Sequence, residues 1–99
     1  METIRQLRKR VDEVDEQILQ SIHERVDICK SIGLVKEKYR IPVQDSPREN
    51  DVYSHIKDKS SALGLDSSCV KEIYNIIVKM CSVVQNSKAK DGKETVVEN

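Results

Sequence analysis

Residues 1–38 read METIRQLRKRVDEVDEQILQSIHERVDICKSIGLVKEK, and their apolar side chains recur at the spacing of an α-helix. The apolar positions are Ile4, Leu7, Val11, Val14, Ile18 and Ile22. The segment has no proline and one glycine, Gly33, and most of its other positions hold Glu, Lys, Arg or Gln, which favour helices. The pattern predicts one uninterrupted amphipathic helix over residues 1–38.

The length of this helix indicates an oligomer. At about 1.5 Å per residue it would extend roughly 55 Å, whereas a compact domain of this chain length has a radius of gyration of about 13 Å. The shorter elements that follow cannot cover its whole apolar face, and an exposed face of that size usually marks an interface. We therefore expect a homodimer with two-fold symmetry.

A second, shorter helix is predicted after a break at Pro42, because proline disfavours helical backbone in the residue before it. It would begin with Ser46 as N-cap, Pro47 in the first turn and Glu49 as the capping-box partner of the serine. It would end at Gly64, which can adopt the left-handed conformation common after a helix.

A third helix is predicted after a cap at Asp66 or Ser67, ending near Gln85 or Ser87. Its apolar positions are Val70, Ile73, Ile77, Met80 and Val84, again at helical spacing. Residues 88–99 are polar and show no periodicity, so they are expected to form a disordered tail. The sequence thus predicts an all-α fold with three helices per chain, one of them very long, in a domain of residues 1–87.

Composition excludes several classes of function. The chain has 99 residues with 17 basic and 17 acidic side chains, so no net positive charge favours nucleic acid. Nowhere do 18 apolar residues run together, so no membrane segment is expected. The three cysteines are widely spaced and odd in number, which is typical of free thiols in the cytoplasm. His23 and His55 have no partners at ligand spacing, so no metal or other cofactor is expected.

Several polar residues interrupt apolar faces and are candidates for a binding site. Arg25 and Lys36 are eleven residues apart, so they lie about 20° from one direction and about 16 Å apart along the helix. They could hold one small anion from both ends, or could lie at the edge of the apolar face with their charges in water. Cys81 and Gln85 form an inward pair one turn apart, and Gln85 could instead bind a backbone carbonyl.

The start of the second helix is another candidate, since a helix N-terminus favours anionic or hydroxyl-bearing ligands and Arg48 adds a cation. Glu49 there is also explained by capping alone. Arg8 precedes Arg25 by 17 residues, which places it about 25 Å away along the axis and about 100° around it. The Arg8 side chain could join Arg25 only if a second chain supplied it, which would make a site shared between chains.

The order and spacing of these residues over positions 4–86 resemble the all-helical class of chorismate mutases, type II. The matching motifs are Leu7-Arg8, Asp12 and Asp15, Glu24-Arg25, Gly33-x-x-Lys36, Pro42-Val43-x-Asp45-x-x-Arg48-Glu49 and Gln85. The resemblance implies an intertwined homodimeric bundle with two equivalent sites. It also implies rearrangement of chorismate to prephenate in phenylalanine and tyrosine biosynthesis, without a cofactor or a covalent intermediate.

The resemblance further implies roles for individual residues. Arg25 and Arg8 of the partner subunit would bind the two substrate carboxylates, and Arg48 would assist nearby. Lys36 and Gln85 would bind the ether oxygen as its bond to carbon breaks.

The remaining implied contacts concern the substrate ring. Glu49 and the Asp45 backbone would hold the ring hydroxyl. Cys81 stands where the family often has serine, and a thiol is the weaker hydrogen-bond donor. Two alternatives stay open at this point. One is an isochorismate pyruvate lyase of the same fold, and the other is a helical dimerisation module in which the cations only form salt bridges.

Overall fold

The computed structural model describes the backbone of residues 1–98 and the side chains of residues 1–86. It contains three α-helices, α1 (Ile4–Lys38), α2 (Ser46–Ala62) and α3 (Ser67–Glu98), and residues 1–98 contain no strand. The prediction of an all-α chain with one very long helix is confirmed. Within the described residues, no helix combines the length and the apolar composition that crossing a membrane requires.

The helix α1 begins later than the predicted start at Met1, because Thr3 caps it. The Gln6 backbone N–H donates to Thr3 Oγ1 at 3.1 Å, and the Thr3 backbone N–H donates to Gln6 Oε1 at 2.8 Å. This reciprocal capping box satisfies two of the backbone N–H groups that a helix start leaves without partners.

At its other end α1 closes with a left-handed turn that needs no glycine. Arg40 has φ of 55°, and the Ile41 N–H donates to the Lys36 carbonyl at 2.7 Å. The Arg40 N–H donates to the Glu37 carbonyl at 3.2 Å. These two bonds form a Schellman motif, which turns the chain back over the last turn of α1.

The predicted N-cap of α2 is wrong by one residue. Asp45, not Ser46, caps the helix, and its carboxylate accepts from the Arg48 backbone N–H at 3.1 Å. Aspartate caps a helix as well as serine does, and Arg48 is the third residue after Asp45, a position whose N–H an N-cap side chain ordinarily binds. Glu49 is therefore not a capping-box partner.

The turn between α2 and α3 follows the prediction. Gly64 has φ of 72° and occupies the left-handed position after α2. Asp66 caps α3, and its Oδ1 accepts from the backbone N–H groups of Ser68 at 2.9 Å and Cys69 at 3.3 Å. The Ser68 hydroxyl bonds the same oxygen, and this bond, followed by the backbone bonds, lowers the pKa of the Asp66 carboxyl below its usual value.

The helix α3 extends to Glu98, past Gln85 and Ser87, where the sequence predicted its end. The side chains of residues 87–99 lie outside those that the structure describes. The division into a domain of residues 1–87 and a polar tail of residues 88–99 stays a prediction.

The helix α3 packs against both α1 and α2, and α1 and α3 run in the same direction where they meet. Few side chains of the single chain are buried. The buried residues are Cys29, Gly33, Ser60, Ile77, Cys81 and Gln85. No large side chain among the described residues is fully buried, so the core of one chain is small and lies at the C-terminal half of α1.

The N-terminal half of α1 is uncovered. Every residue from Met1 to Ser21 is exposed, including the apolar residues Ile4, Val11, Val14 and Ile18. The radius of gyration is 17.6 Å, above the roughly 13 Å of a compact domain of this length. The apolar face that the sequence predicted therefore exists and is not covered by its own chain.

Candidate active site

A cavity of about 280 Å³ lies between the C-terminal half of α1, the first turns of α2 and the middle of α3. Seven of the eight predicted site residues line it. They are Arg25, Lys36, Asp45, Arg48, Glu49, Cys81 and Gln85. Candidate site residues that come from distant parts of the sequence therefore share one cavity.

Arg25 and Lys36 point into the cavity from one face of α1, as predicted, and each is held by a neutral acceptor. Arg25 Nη1 donates to Cys81 Sγ at 2.7 Å, and Lys36 Nζ donates to the Val43 carbonyl at 2.7 Å. Among the described side chains, no carboxylate forms a salt bridge with either cation. Both positive charges therefore remain available to an anion. This disfavours the alternative in which Arg25 and Lys36 only form salt bridges.

The start of α2 supplies the opposite wall. Glu49 is half-buried, whereas Asp45 and Arg48 are exposed at the mouth of the cavity. Because Asp45 caps the helix, the Glu49 carboxylate is not committed to capping. The structure thus removes the alternative that capping alone explains Glu49.

The charges around the cavity do not balance. Arg25, Lys36 and Arg48 face two carboxylates, Asp45 and Glu49, so the lining carries a formal charge of +1. The whole chain is neutral. The cavity is therefore a local concentration of positive charge, and a small anion is the ligand that this field favours.

Apolar side chains complete the wall around these charges. They come from all three helices and the loop between α1 and α2, and they are Ile28, Ile32, Val43, Val52 and Val78. A ligand enclosed by them loses contact with water, and interactions between charges are stronger in such an environment. Sequence periodicity alone could not show that these residues enclose a cavity.

Gln85 places an amide at the inner wall. The residue is 8% exposed, and its Oε1 is buried with no hydrogen-bond partner among the described residues. An unpaired buried polar group costs about 1–3 kcal/mol, so it indicates a ligand or water that satisfies it. A half-turn of the amide would present Nε2 instead, so the same side chain can donate to a ligand.

Gly33 allows α3 to approach closely enough for Gln85 to reach the cavity. A Cβ at position 33 would lie 2.8 Å from Gln85 Cα and 3.1 Å from the Gln85 carbonyl oxygen, closer than atoms pack. Sequence reasoning missed this role. The available signal was a single glycine within an otherwise uninterrupted helix.

Cys29 and Cys81 form the floor of the cavity between α1 and α3. The pKa of the Cys29 thiol is raised to about 11, chiefly because burial disfavours the thiolate. Proximity to the Cys81 side chain also raises it, while the positive charges of Arg25 and Lys36 oppose the shift. Cys29 is therefore an uncharged thiol near neutral pH. The sequence analysis did not recognise Cys29 as a site residue.

Arg8 is the one predicted site residue that lies outside the cavity. It sits near the start of α1, where it lines a separate shallow surface with Arg5 and Asp12. Both residues lie in α1, and at the rise of an α-helix the 17 positions from Arg8 to Arg25 span about 25 Å. Within one chain Arg8 does not contribute to the cavity.

The structure is that of an all-helical protein with a cavity whose lining carries a net positive charge. Comparison with known proteins then identifies the family, since residues 7–86 match the family described as chorismate mutase type II. The chain belongs to this family. The activity that the family supports is chorismate mutase, an isomerase of aromatic biosynthesis.

Individual relatives agree with the family. The chain is 28% identical over 85 residues to a chorismate mutase of Methanocaldococcus jannaschii, and the match covers 86% of each chain. It is 38% identical over 56 residues to a bifunctional chorismate mutase/prephenate dehydratase of Aquifex aeolicus, covering 57% of this chain and 16% of that one. A 4-amino-4-deoxychorismate mutase of Streptomyces pristinaespiralis is 28% identical over 72 residues, covering 73% of this chain and 56% of the relative.

We predict that Gly33→Ala impairs both stability and turnover. The added methyl forces α1 and α3 apart and displaces Gln85. This overpacking lowers the free energy of unfolding by about 1–3 kcal/mol, and the better helix propensity of alanine offsets roughly 1 kcal/mol of that loss. Urea unfolding and chorismate turnover measure the two effects. Ser31→Ala on the exposed face of α1 is the control and should resemble the wild type. Wild-type behaviour of Gly33→Ala would show that the close approach is not required.

Proposed function

We propose that the cavity is the site at which the chain rearranges chorismate to prephenate, in the phenylalanine and tyrosine pathway. The observation that carries the proposal is the cavity itself, in which seven separately predicted residues meet in a member of the chorismate mutase type II family. No alternative function is favoured by a specific observation.

The charge of the cavity supports a substrate with two carboxylates. The lining carries a formal charge of +1, and Arg8 of the partner subunit would raise it to +2, which neutralises a dianion. Arg25 and the partner's Arg8 would each bind one carboxylate, with Arg48 close by at the mouth. In this chain Cys81 accepts from Arg25 at 2.7 Å, so its role would be to position the guanidinium.

Lys36 and Gln85 would act on the ether oxygen. In a pericyclic rearrangement the carbon–oxygen bond breaks as the new carbon–carbon bond forms, and negative charge accumulates on that oxygen. Lys36 is already oriented by the Val43 carbonyl, and Gln85 carries an amide that has no partner among the described residues. Donors fixed before the reaction stabilise such charge without reorganising. The step needs neither a nucleophile nor a cofactor.

Glu49 would accept a hydrogen bond from the ring hydroxyl, with the Asp45 backbone nearby. Its half-buried position and its release from capping support this assignment. The contacts at both ends and at the ring would hold the substrate in the compact conformer that the reaction requires.

The proposed assembly is an intertwined homodimer. The apolar face of residues 4–22 is exposed in one chain, and a second copy in antiparallel orientation would cover it while carrying its Arg8 to the cavity. The three cysteines are free thiols, which supports a cytoplasmic location. Neither nucleic acid nor a membrane is part of the proposal.

The function is tested with purified protein by following loss of chorismate absorbance and identifying prephenate. Lys36→Ala should raise the activation free energy by about 3–4 kcal/mol and reduce turnover accordingly. The reason is that the ether oxygen loses a hydrogen-bond donor that is fixed before the reaction. Lys38 lies two residues further along α1, about 200° around the helix from Lys36, and is exposed. Lys38→Ala is therefore the matched control and should turn over normally.

Absence of turnover by the folded wild type, or normal turnover by Lys36→Ala, would contradict the proposal. Because a Streptomyces relative is named a 4-amino-4-deoxychorismate mutase, the assay also offers that compound in parallel. If the amino compound is turned over faster than chorismate, then the amino compound is the substrate.

We also predict that Gln85→Glu becomes active only at low pH. A protonated carboxyl can donate to the ether oxygen as the amide does, whereas a carboxylate repels the negative charge that develops there. Turnover should therefore fall as pH rises through the pKa of the new carboxyl, which burial raises. The wild type measured over the same pH range is the control, and a variant profile that parallels it would exclude Gln85 from the ether oxygen.

A further inference from the structure

Cys29 on α1 and Cys81 on α3 form a pair of buried thiols that the proposed reaction does not require as a pair. Their exposures are 7% and 4%, and the Cys81 side chain is close enough to help raise the pKa of the Cys29 thiol. Both line the cavity, so a small solute that enters it meets both sulfur atoms. The third cysteine, Cys69, is exposed and does not line the cavity.

The helix packing around this pair suits a covalent link. A disulfide requires Cα atoms about 4.4–6.8 Å apart. One turn beyond the pair, α1 and α3 approach so closely that a Cβ on Gly33 would contact the backbone of Gln85. Because the two helices run in the same direction here and both cysteines line one cavity, we expect the backbones to remain within reach of a disulfide at Cys29 and Cys81.

We propose that Cys29 and Cys81 are a site of oxidative modification, where hydrogen peroxide closes a disulfide between α1 and α3 and thereby inactivates the cavity. The pair would make this protein sensitive to peroxide, and a thiol reductant would reverse the change.

The chemistry proceeds in two balanced steps. The Cys81 sulfur attacks one peroxide oxygen, the O–O bond breaks, and a sulfenic acid and one water result. The Cys29 sulfur then attacks the Cys81 sulfur, the S–O bond breaks, and the hydroxyl leaves as a second water with the thiol proton. The two thiols lose two electrons and two protons, and the peroxide is reduced to water.

The surroundings of the two sulfurs assign this order. The Arg25 guanidinium donates to Cys81 Sγ at 2.7 Å, so a cation stands beside this sulfur and can stabilise the negative charge that develops on the leaving peroxide oxygen. Burial raises the pKa of Cys29 to about 11, which keeps it protonated and makes it the poorer first nucleophile. Cys29 therefore acts as the resolving thiol.

The link would change the site through Arg25. When the Cys81 sulfur bonds to Cys29, it turns away from the guanidinium that it positions. The cavity then loses the orientation of a cation proposed to bind a substrate carboxylate. This effect on turnover rests on the proposed function, whereas formation of the disulfide does not.

The test uses the full chain with Cys69→Ser, which removes the exposed thiol that would react by itself. After peroxide treatment, the intact mass should fall by that of two hydrogen atoms, and neither remaining thiol should be alkylated in denaturant. A digest should contain a cross-linked peptide joining Cys29 to Cys81. Turnover should fall by at least about ten-fold, and dithiothreitol should restore both mass and turnover.

The matched control is Cys29→Ala in the same background, which leaves Cys81 without a resolving partner. It should accumulate a sulfenic acid that dimedone traps and should show no loss of two hydrogens. Thiols that remain alkylatable, a link between two chains, or a sulfinic acid in place of the disulfide would overturn the proposal, as would full turnover by the linked protein. A chain that forms the link but never turns over chorismate would refute the proposed function alone.

Discussion

The close contact of α1 with α3 at Gly33 controls the geometry of the cavity. Because position 33 has no side chain, the Gln85 backbone lies against α1, and the inner wall carries an amide instead of solvent. The same approach brings Cys81 to Arg25 and to Cys29 one turn earlier. The charged groups of α1 are thus held by contacts with neutral atoms, which leaves their charge for a ligand.

A second constraint is that one chain cannot bury its own longest helix. The packed part of α1 is the half that forms the cavity, while residues 1–21 are entirely exposed. One chain therefore presents the cavity at one end of α1 and an uncovered apolar face with Arg8 at the other end. In the proposed two-fold dimer, the contact that covers the apolar face would also bring the partner's Arg8 to the cavity.

Periodicity and helix signals were sufficient to predict the three helices, since apolar spacing and glycine positions act locally. They misplaced the cap of α2 by one residue, because Asp45 and Ser46 are adjacent and both are good N-caps. They also could not show the role of Gly33 or the Cys29–Cys81 pair. Those depend on the rotation of α3 against α1, which no local pattern specifies.

The most direct test of a site shared between two chains is reconstitution from two inactive variants. Arg8→Ala and Arg25→Ala are unfolded together in equal amounts and refolded, and chorismate turnover is compared with each variant refolded alone. In a mixed dimer one site would regain both arginines and the other would lose both, so random pairing predicts about a quarter of wild-type turnover. If both arginines served the same chain's cavity, every site in the mixture would still lack one of them. Turnover no higher than that of the separate variants would then contradict the shared site.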